Sequence, residues 1–137
     1  MTTIRSVAFG IGHYLPERVV PNEEFAAKLD TSDEWIQSRS GIQRRHFAAE
    51  GELTSDLAVK AAEKALDYAG LSGSDIDAIV LATSTPDQTF PSTATKVQHR
   101  LGMNGGFAFD IQAVCAGFAF ALANADALIV SGQAKRV

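Results

Sequence analysis

The stretch that decides the fold reads Phe107-Ala-Phe-Asp-Ile-Gln-Ala-Val-Cys115-Ala-Gly-Phe-Ala-Phe-Ala-Leu-Ala-Asn-Ala-Asp-Ala-Leu-Ile-Val-Ser-Gly132. It predicts a short strand over Phe107–Ile111, a tight turn, and an alanine-rich helix that ends near Gly132, since glycine suits the position after a helix. Between residues 118 and 130 the only polar side chains are Asn124 and Asp126. A helix that is apolar nearly all round is normally buried in a larger protein or lies in a membrane.

Cys115, the only cysteine, lies in that turn at the start of the helix. Backbone N–H groups and the helix dipole at such a position favour a thiolate. Two interpretations follow. Free cysteines are often buried and inert, whereas a strand, a sharp turn and a buried helix resemble the geometry that presents a nucleophile.

Composition limits the class of protein. The 137 residues suit one domain, and 46% hydrophobic residues allow a sizeable core. A single cysteine cannot form an intrachain disulfide, which favours a reducing cytosol. The net charge of −4 argues against a nucleic-acid surface. No signal peptide is predicted, and Asn124 and Asp126 favour a soluble helix over a membrane span.

The first part of the chain predicts a strand over residues 4–11, followed by Gly10-Ile-Gly12. A dinucleotide site is disfavoured because the third glycine of that motif is missing. The glycines more simply permit close backbone packing or a turn. Asn22 is predicted to cap a short helix over residues 23–29.

Trp35 and Arg39 are four residues apart on the next predicted helix, which Thr31 and Glu34 would open as a capping box and Gly41 would end. The side chains therefore share one face. Trp35 could pack in the core with Arg39 on its rim, or the pair could hold a ligand that carries a ring and a phosphate.

The middle of the chain alternates helices and strands. Residues 41–47 are predicted to be a short strand or an extended loop, with a solvated turn at Arg44-Arg45-His46 as the commonest interpretation of that triplet. Residues 55–69 are predicted to be a helix, Ala78–Ala82 a strand covered on both faces, and residues 92–101 a helix. Phe90 could staple the core or form a pocket wall. The order predicts an α/β layered fold, in which ligands bind beyond the carboxyl ends of strands. The loop of residues 84–90 and the turn at Cys115 both occupy such positions.

Several stretches together resemble 3-oxoacyl-[acyl-carrier-protein] synthase III, the initiating condensing enzyme of bacterial fatty acid synthesis, in the thiolase superfamily. They are Gly10-Ile-Gly-His-Tyr-Leu-Pro16, Asp30-Thr-Ser-Asp-Glu-Trp-Ile36 through Arg39-Ser-Gly-Ile42, Phe90-Pro-Ser92, and Asp110-Ile-Gln-Ala-Val-Cys-Ala-Gly-Phe118. Ser40 replaces the more usual Thr, and Val114 a commoner Ala. The resemblance implies a thiolase-like layered fold (αβαβα when complete), with residues 1–137 as an N-terminal half that lacks its C-terminal half.

The resemblance also implies a mechanism. Cys115 would take an acyl group from acyl-CoA, and decarboxylative condensation with malonyl-acyl-carrier protein would give a 3-oxoacyl product. Thr31, Trp35 and Arg39 would bind coenzyme A, and Phe90 would close the acyl pocket of a homodimer partner. Acyl-CoA is a substrate, and neither cofactor nor metal is expected.

The resemblance further implies a cytoplasmic enzyme without nucleic-acid or membrane partners. Its catalytic His and Asn would come from the absent half, so His13, His46 and His99 are read as surface or structural residues, and the isolated chain is predicted to be inactive. The alternatives are another condensation of the superfamily (polyketide, quinolone or hydroxymethylglutaryl-CoA type), or a non-catalytic module that binds CoA or pairs with another subunit.

Overall fold

The computed structural model of the chain describes residues 4–137. In chain order its elements are β1 (Arg18–Pro21), α1 (Asn22–Ala26), α2 (Asp33–Ser40), β2 (Arg44–Phe47), α3 (Thr54–Ala69), β3 (Ala78–Ala82), α4 (Thr93–Arg100), β4 (Phe107–Ile111) and α5 (Gly117–Val130), with single 3-10 turns at Gly73–Asp75 and Val114–Ala116. The mixture of helices and strands confirms the predicted α/β class. Two compact units are present, one formed by residues 4–14 with Leu53–Val137 and the other by Leu15–Glu52.

The first unit is built on a parallel pair of strands, β3 and β4, in which Ala78 lies opposite Phe107 and Ala82 opposite Ile111. Parallel neighbours need a crossover connection, and α4 lies within it and packs on both strands. Helix α3 packs on α4, and α5 packs on β3. The buried apolar side chains of this unit are Val59, Ala78, Ala94, Val97 and Ala134.

The helix boundaries of this unit follow the local sequence signals closely. The predicted helices over residues 55–69 and 92–101 are found as α3 and α4. Gly70 ends α3 in a left-handed conformation, and the N–H of Leu71 donates to the carbonyl of Leu66 at 3.0 Å, as the Schellman motif requires. The strand prediction at Ala78–Ala82 is also confirmed, but only Ala78 is fully buried, so the predicted cover on both faces is incomplete.

The predicted strand over residues 4–11 is not found, because no described residue supplies a neighbouring strand for it. The segment instead runs against α3. A Cβ atom on Gly10 would lie 2.4 Å from the carbonyl oxygen of Ala65, and one on Gly12 would lie 2.2 Å from that of Ala61. The two glycines therefore permit close backbone packing, as the sequence predicted.

The second unit contains the antiparallel pair of β1 and β2, with Arg18 opposite Phe47 and Pro21 opposite Arg44. Of the alternatives for residues 41–47, the short strand is confirmed, because Arg44–Phe47 pairs with β1, and the solvated turn at residues 44–46 is wrong. The guanidinium of Arg45 lies 4.6 Å from the ring centroid of Phe25, which in turn meets Phe47 edge-on at 6.0 Å.

Two cap predictions in this unit are wrong. Asn22 does not cap a helix over residues 23–29; it is the first residue of α1, and its fully buried side chain makes tertiary hydrogen bonds. Helix α2 is capped by Ser32, whose Oγ accepts the N–H of Trp35 at 3.1 Å, rather than by the predicted Thr31. The predicted helix end at Gly41 is confirmed by its left-handed φ of 71°.

Candidate active site

Cys115 lies where β4 turns into α5. The strand ends at Ile111, residues 114–116 form a single 3-10 turn, and α5 begins at Gly117. Val114 has a φ of +44°, a left-handed conformation that is strained for a β-branched residue. Gly117 is buried, and a Cβ atom there would lie 3.1 Å from the Cβ of Ala82. The turn thus presses the start of α5 onto the carboxyl end of β3 and leaves the Cys115 thiol exposed.

Helix α5 differs from the buried helix that the sequence predicted. Phe118 is 75% exposed, Phe120 55% and Leu122 56%. The reason is geometric: one side of α5 packs on β3, and among the described residues no further layer covers the opposite side. Within residues 4–137 no helix has both the length and the hydropathy needed to cross a bilayer.

A network of carboxylates fixes the loop between β3 and α4. The side chain of Asp110, in β4, accepts the N–H groups of Thr93 at 2.8 Å and Ala94 at 2.7 Å, and so caps the start of α4. The Thr93 hydroxyl accepts the N–H of Asp87 at 3.0 Å. These bonds hold both ends of the loop at the edge of the sheet from which Cys115 emerges.

Asp87 is a buried carboxylate within this network. Its side chain is 1% exposed; it accepts the N–H of Ser55 at 2.9 Å and pairs with the Lys96 ammonium at 3.3 Å. Burial on its own would raise the pKa of Asp87, but the hydrogen bonds from Ser55 and Lys96 outweigh burial and hold that pKa below its ordinary value. Asp87 is therefore ionised at neutral pH and anchors the loop to α3 and α4.

Phe90 lies in the same loop and is 87% exposed. It precedes Pro91 through a cis peptide bond. The interpretation of Phe90 as a core staple is wrong, because its ring projects from the surface of the unit. Its proposed part in an acyl pocket stays a prediction.

Trp35 and Arg39 lie together on α2, as their spacing predicted. The Arg39 guanidinium carbon is 5.9 Å from the centre of the Trp35 ring, within cation–π range. Trp35 is 58% exposed, so the interpretation of this pair as core packing is wrong. The hydroxyl of Thr31, two residues before α2, is enclosed and has no hydrogen-bond partner among the described residues.

The five predicted site residues fall into two groups. Thr31, Trp35 and Arg39 belong to the Leu15–Glu52 unit, whereas Phe90 and Cys115 belong to the other unit. A groove of about 490 Å³ opens between the starts of α3 and α4, but none of the five lines it. Its lining residues are Leu53, Ser55, Asp56, Asp87, Pro91, Thr95, Lys96, His99 and Arg100.

The three histidines of the chain lie at structural or surface positions. Nδ1 of His46 lies 2.6 Å from the carbonyl oxygen of Pro16, and His13 and His99 are exposed. Among the described residues no cluster of three His, Cys, Asp or Glu side chains is arranged to hold a metal ion.

Asn22, Asp87 and Asp110 were not predicted as parts of the site. Asp110 lies inside the motif around Cys115, five residues before it, and that proximity was the only local signal. The hydrogen-bond partners of the Asn22 and Asp87 side chains lie 9 to 32 residues away in sequence, so no local pattern identifies them.

Comparison with known proteins gives one consistent result. Residues 109–137, which include Cys115, match the family model described as 3-Oxoacyl-[acyl-carrier-protein (ACP)] synthase III. The beta-ketoacyl-[acyl-carrier-protein] synthase III of Jannaschia sp. is 74% identical over 136 residues, which cover 98% of this chain and 42% of the relative. The chain thus spans about two-fifths of the length of the curated relatives that it matches.

Solved structures agree with this match. The beta-ketoacyl-[acyl-carrier-protein] synthase III from Thermus thermophilus superposes with a TM-score of 0.86 at 50% identity, covering 94% of this chain and 40% of that protein. The priming beta-ketosynthase of a polyketide biosynthetic pathway superposes with a TM-score of 0.86 at 34% identity, covering 98% and 41%. These neighbours confirm the predicted thiolase-like fold. In sequence and in fold, this chain is therefore similar to about two-fifths of a 3-oxoacyl-[acyl-carrier-protein] synthase III.

Proposed function

We propose that this chain is the cysteine-bearing part of an initiating condensing enzyme of fatty acid synthesis, with Cys115 as its nucleophile. The observation that carries the proposal is the exposed thiol of Cys115 in a strained turn at the start of α5. Sharp strand-to-helix turns present nucleophiles. The family match over residues 109–137 includes this turn.

The proposed chemistry proceeds in two steps. In the first, the sulfur of Cys115 bonds to the acyl carbon of acyl-CoA, the bond from that carbon to the CoA sulfur breaks, and CoA leaves as the thiol. The backbone N–H of Cys115 would donate to the oxyanion. In the second, malonyl-acyl-carrier protein loses carbon dioxide, the resulting carbanion bonds to the acyl carbon, and the bond from that carbon to the Cys115 sulfur breaks, so that 3-oxoacyl-acyl-carrier protein forms and Cys115 leaves as the thiolate.

The substrate contacts form the second part of the proposal. The exposed Trp35 ring would stack on the adenine of coenzyme A, and Arg39 would pair with its phosphate groups. Thr31 lies beside them in sequence and would contribute its hydroxyl. The exposed Phe90 would close the acyl pocket of the partner in a homodimer. We further propose a cytoplasmic enzyme whose catalytic His and Asn lie outside residues 1–137.

The nucleophile is tested by self-acylation in a full-length protein that carries this chain. Radiolabelled acyl-CoA should label the wild-type protein and leave Cys115→Ala unlabelled, whereas Ser131→Ala, at the far end of α5, should acquire label as the wild type does. Retained label on a Cys115→Ala protein would assign the nucleophile to another residue.

A second candidate function keeps the fold and changes the acyl group. The structural match to a priming beta-ketosynthase of a polyketide pathway favours this candidate over other condensations. A series of acyl-CoA primers of increasing length separates the two, by the ratio of kcat/KM values between short and long primers. A non-catalytic CoA-binding module would instead bind CoA while its Cys115 thiol stayed unreactive towards iodoacetamide at neutral pH.

A further inference from the structure

Asn22 is the most completely buried polar side chain near α2. It follows β1 directly and is fully buried. Its Nδ2 donates to Oδ1 of Asp33 at 2.7 Å and to the carbonyl oxygen of Ile42 at 2.8 Å. Asp33 is the first residue of α2, and Ile42 lies two residues beyond its last. A single amide group therefore tethers both ends of this eight-residue helix.

The chemistry of the partners fixes the orientation of that amide. A carboxylate oxygen and a carbonyl oxygen only accept, so the nitrogen of Asn22 must face both of them. The other oxygen of Asp33 accepts the Gln37 amide at 2.6 Å. The hydrogen bonds from Asn22 and Gln37 lower the pKa of Asp33, so the tether is a charge-assisted bond at neutral pH.

Helix α2 has little else to hold it in place. None of its residues is buried, and an isolated helix of this length is unstable in water. Trp35 and Arg39 both lie on α2 and form the exposed pair described above, here called the Trp35–Arg39 platform. Because α2 has no fully buried side chain, the hydrogen bonds of Asn22 contribute directly to the position of this platform.

We propose that Asn22 is a positioning residue that holds the Trp35–Arg39 platform in the orientation that binds coenzyme A. The inference rests on the proposed function of that platform. Without the Asn22 amide, the Asp33 carboxylate and the Ile42 carbonyl each lose a donor, and α2 samples orientations in which ring and guanidinium no longer meet one ligand together. The fraction of molecules in the binding orientation then decreases, and the apparent affinity for coenzyme A decreases in proportion to that fraction.

The experiment uses Trp35 itself, since it is the only tryptophan of the chain. Its fluorescence is titrated with coenzyme A in the 137-residue chain, at a temperature where every variant is folded by circular dichroism. Asn22→Leu keeps a side chain of similar size and removes the donor, and it should bind about tenfold more weakly, the equivalent of one net hydrogen bond. Asp33→Asn leaves the buried Asn22 side chain in place but removes the charge of its acceptor, and it should bind coenzyme A roughly threefold more weakly.

The matched control is His46→Ala. It removes a hydrogen bond of the same unit, but that bond goes to the carbonyl of Pro16, outside α2. His46→Ala should therefore keep wild-type affinity even where its thermal midpoint falls as far as that of Asn22→Leu. Equal losses of affinity in both variants would overturn the positioning role, because they would reflect general destabilisation.

Arg39→Ala separates this inference from the function on which it rests. If Arg39→Ala binds coenzyme A as tightly as the wild type, the platform is not the binding site. The proposed role of the platform and the role of Asn22 then both fail. If Arg39→Ala binds weakly while Asn22→Leu and Asp33→Asn stay within twofold of the wild type, the platform stands and the role of Asn22 is refuted.

Discussion

Replacing Asp110 with alanine should cost about 3 kcal/mol of unfolding free energy, because two buried donors then lose their acceptor. The N–H groups of Thr93 and Ala94 donate to the two oxygens of this carboxylate at 2.8 and 2.7 Å. Both residues are completely buried, so water cannot replace the lost partner. Each unsatisfied donor costs about 1–3 kcal/mol, and loss of a helix cap alone about 0.5–2 kcal/mol.

The assay is urea unfolding followed by far-UV circular dichroism, with Asp110→Asn as the graded variant. An amide oxygen can accept one of the two N–H groups, so this variant should lose about 1–1.5 kcal/mol. Asp67→Ala, at an exposed position on α3, is the control and should stay within about 0.5 kcal/mol of the wild type. A loss of under 1 kcal/mol in Asp110→Ala, with unchanged denaturant dependence, would refute the reasoning.

Three other outcomes are expected. Gly12→Ala should destabilise the chain by more than 2 kcal/mol, roughly the range of severe overpacking, because the added Cβ would lie 2.2 Å from the carbonyl oxygen of Ala61. Thermal unfolding beside the exposed control Asp67→Ala measures this loss. The pKa of Asp87 is lowered in the folded chain. Its ionised form therefore stabilises the fold at every pH above the ordinary carboxyl pKa of about 4, and this stabilisation is lost as the pH falls through the lowered pKa. Asp87→Asn should therefore be less stable at pH 7 and show a flatter acid unfolding curve, whereas parallel curves for variant and wild type would contradict this. Finally, residues 1–137 expressed alone should form no 3-oxoacyl product, and product made by the purified chain would show that it needs no second part.

Local signals in the sequence identified the helices and the motif residues well. Gly41 and Gly70 end helices where their conformational freedom predicts, and the period of apolar residues located α3. The spacing of Trp35 and Arg39 placed both side chains on one helix face. Each of these features depends on neighbours within four residues, which is the range over which a sequence pattern carries physical information.

Features that depend on distant partners were missed. Residues 4–11 alternate like a strand, but a strand also needs a neighbour, and none is present among the described residues. Asn22 looked like a helix cap because its partners Asp33 and Ile42 lie 11 and 20 residues away. Residues 41–47 stayed undecided between a short strand, a loop and a turn, because β1, which pairs with Arg44–Phe47, lies more than 20 residues earlier. Tertiary pairing decided all three.

The two-stranded arrangement of β3 and β4 has a consequence for how this chain behaves at high concentration. Among residues 4–137, each strand has the other on one side and no strand on its outer side. An outer edge exposes N–H and C=O groups that another extended segment can pair with, and the apolar Ala-Ile-Val-Leu-Ala of β3 offers no charge to prevent this. Intermolecular strand addition therefore competes with correct refolding, and the competition grows with each increase in protein concentration.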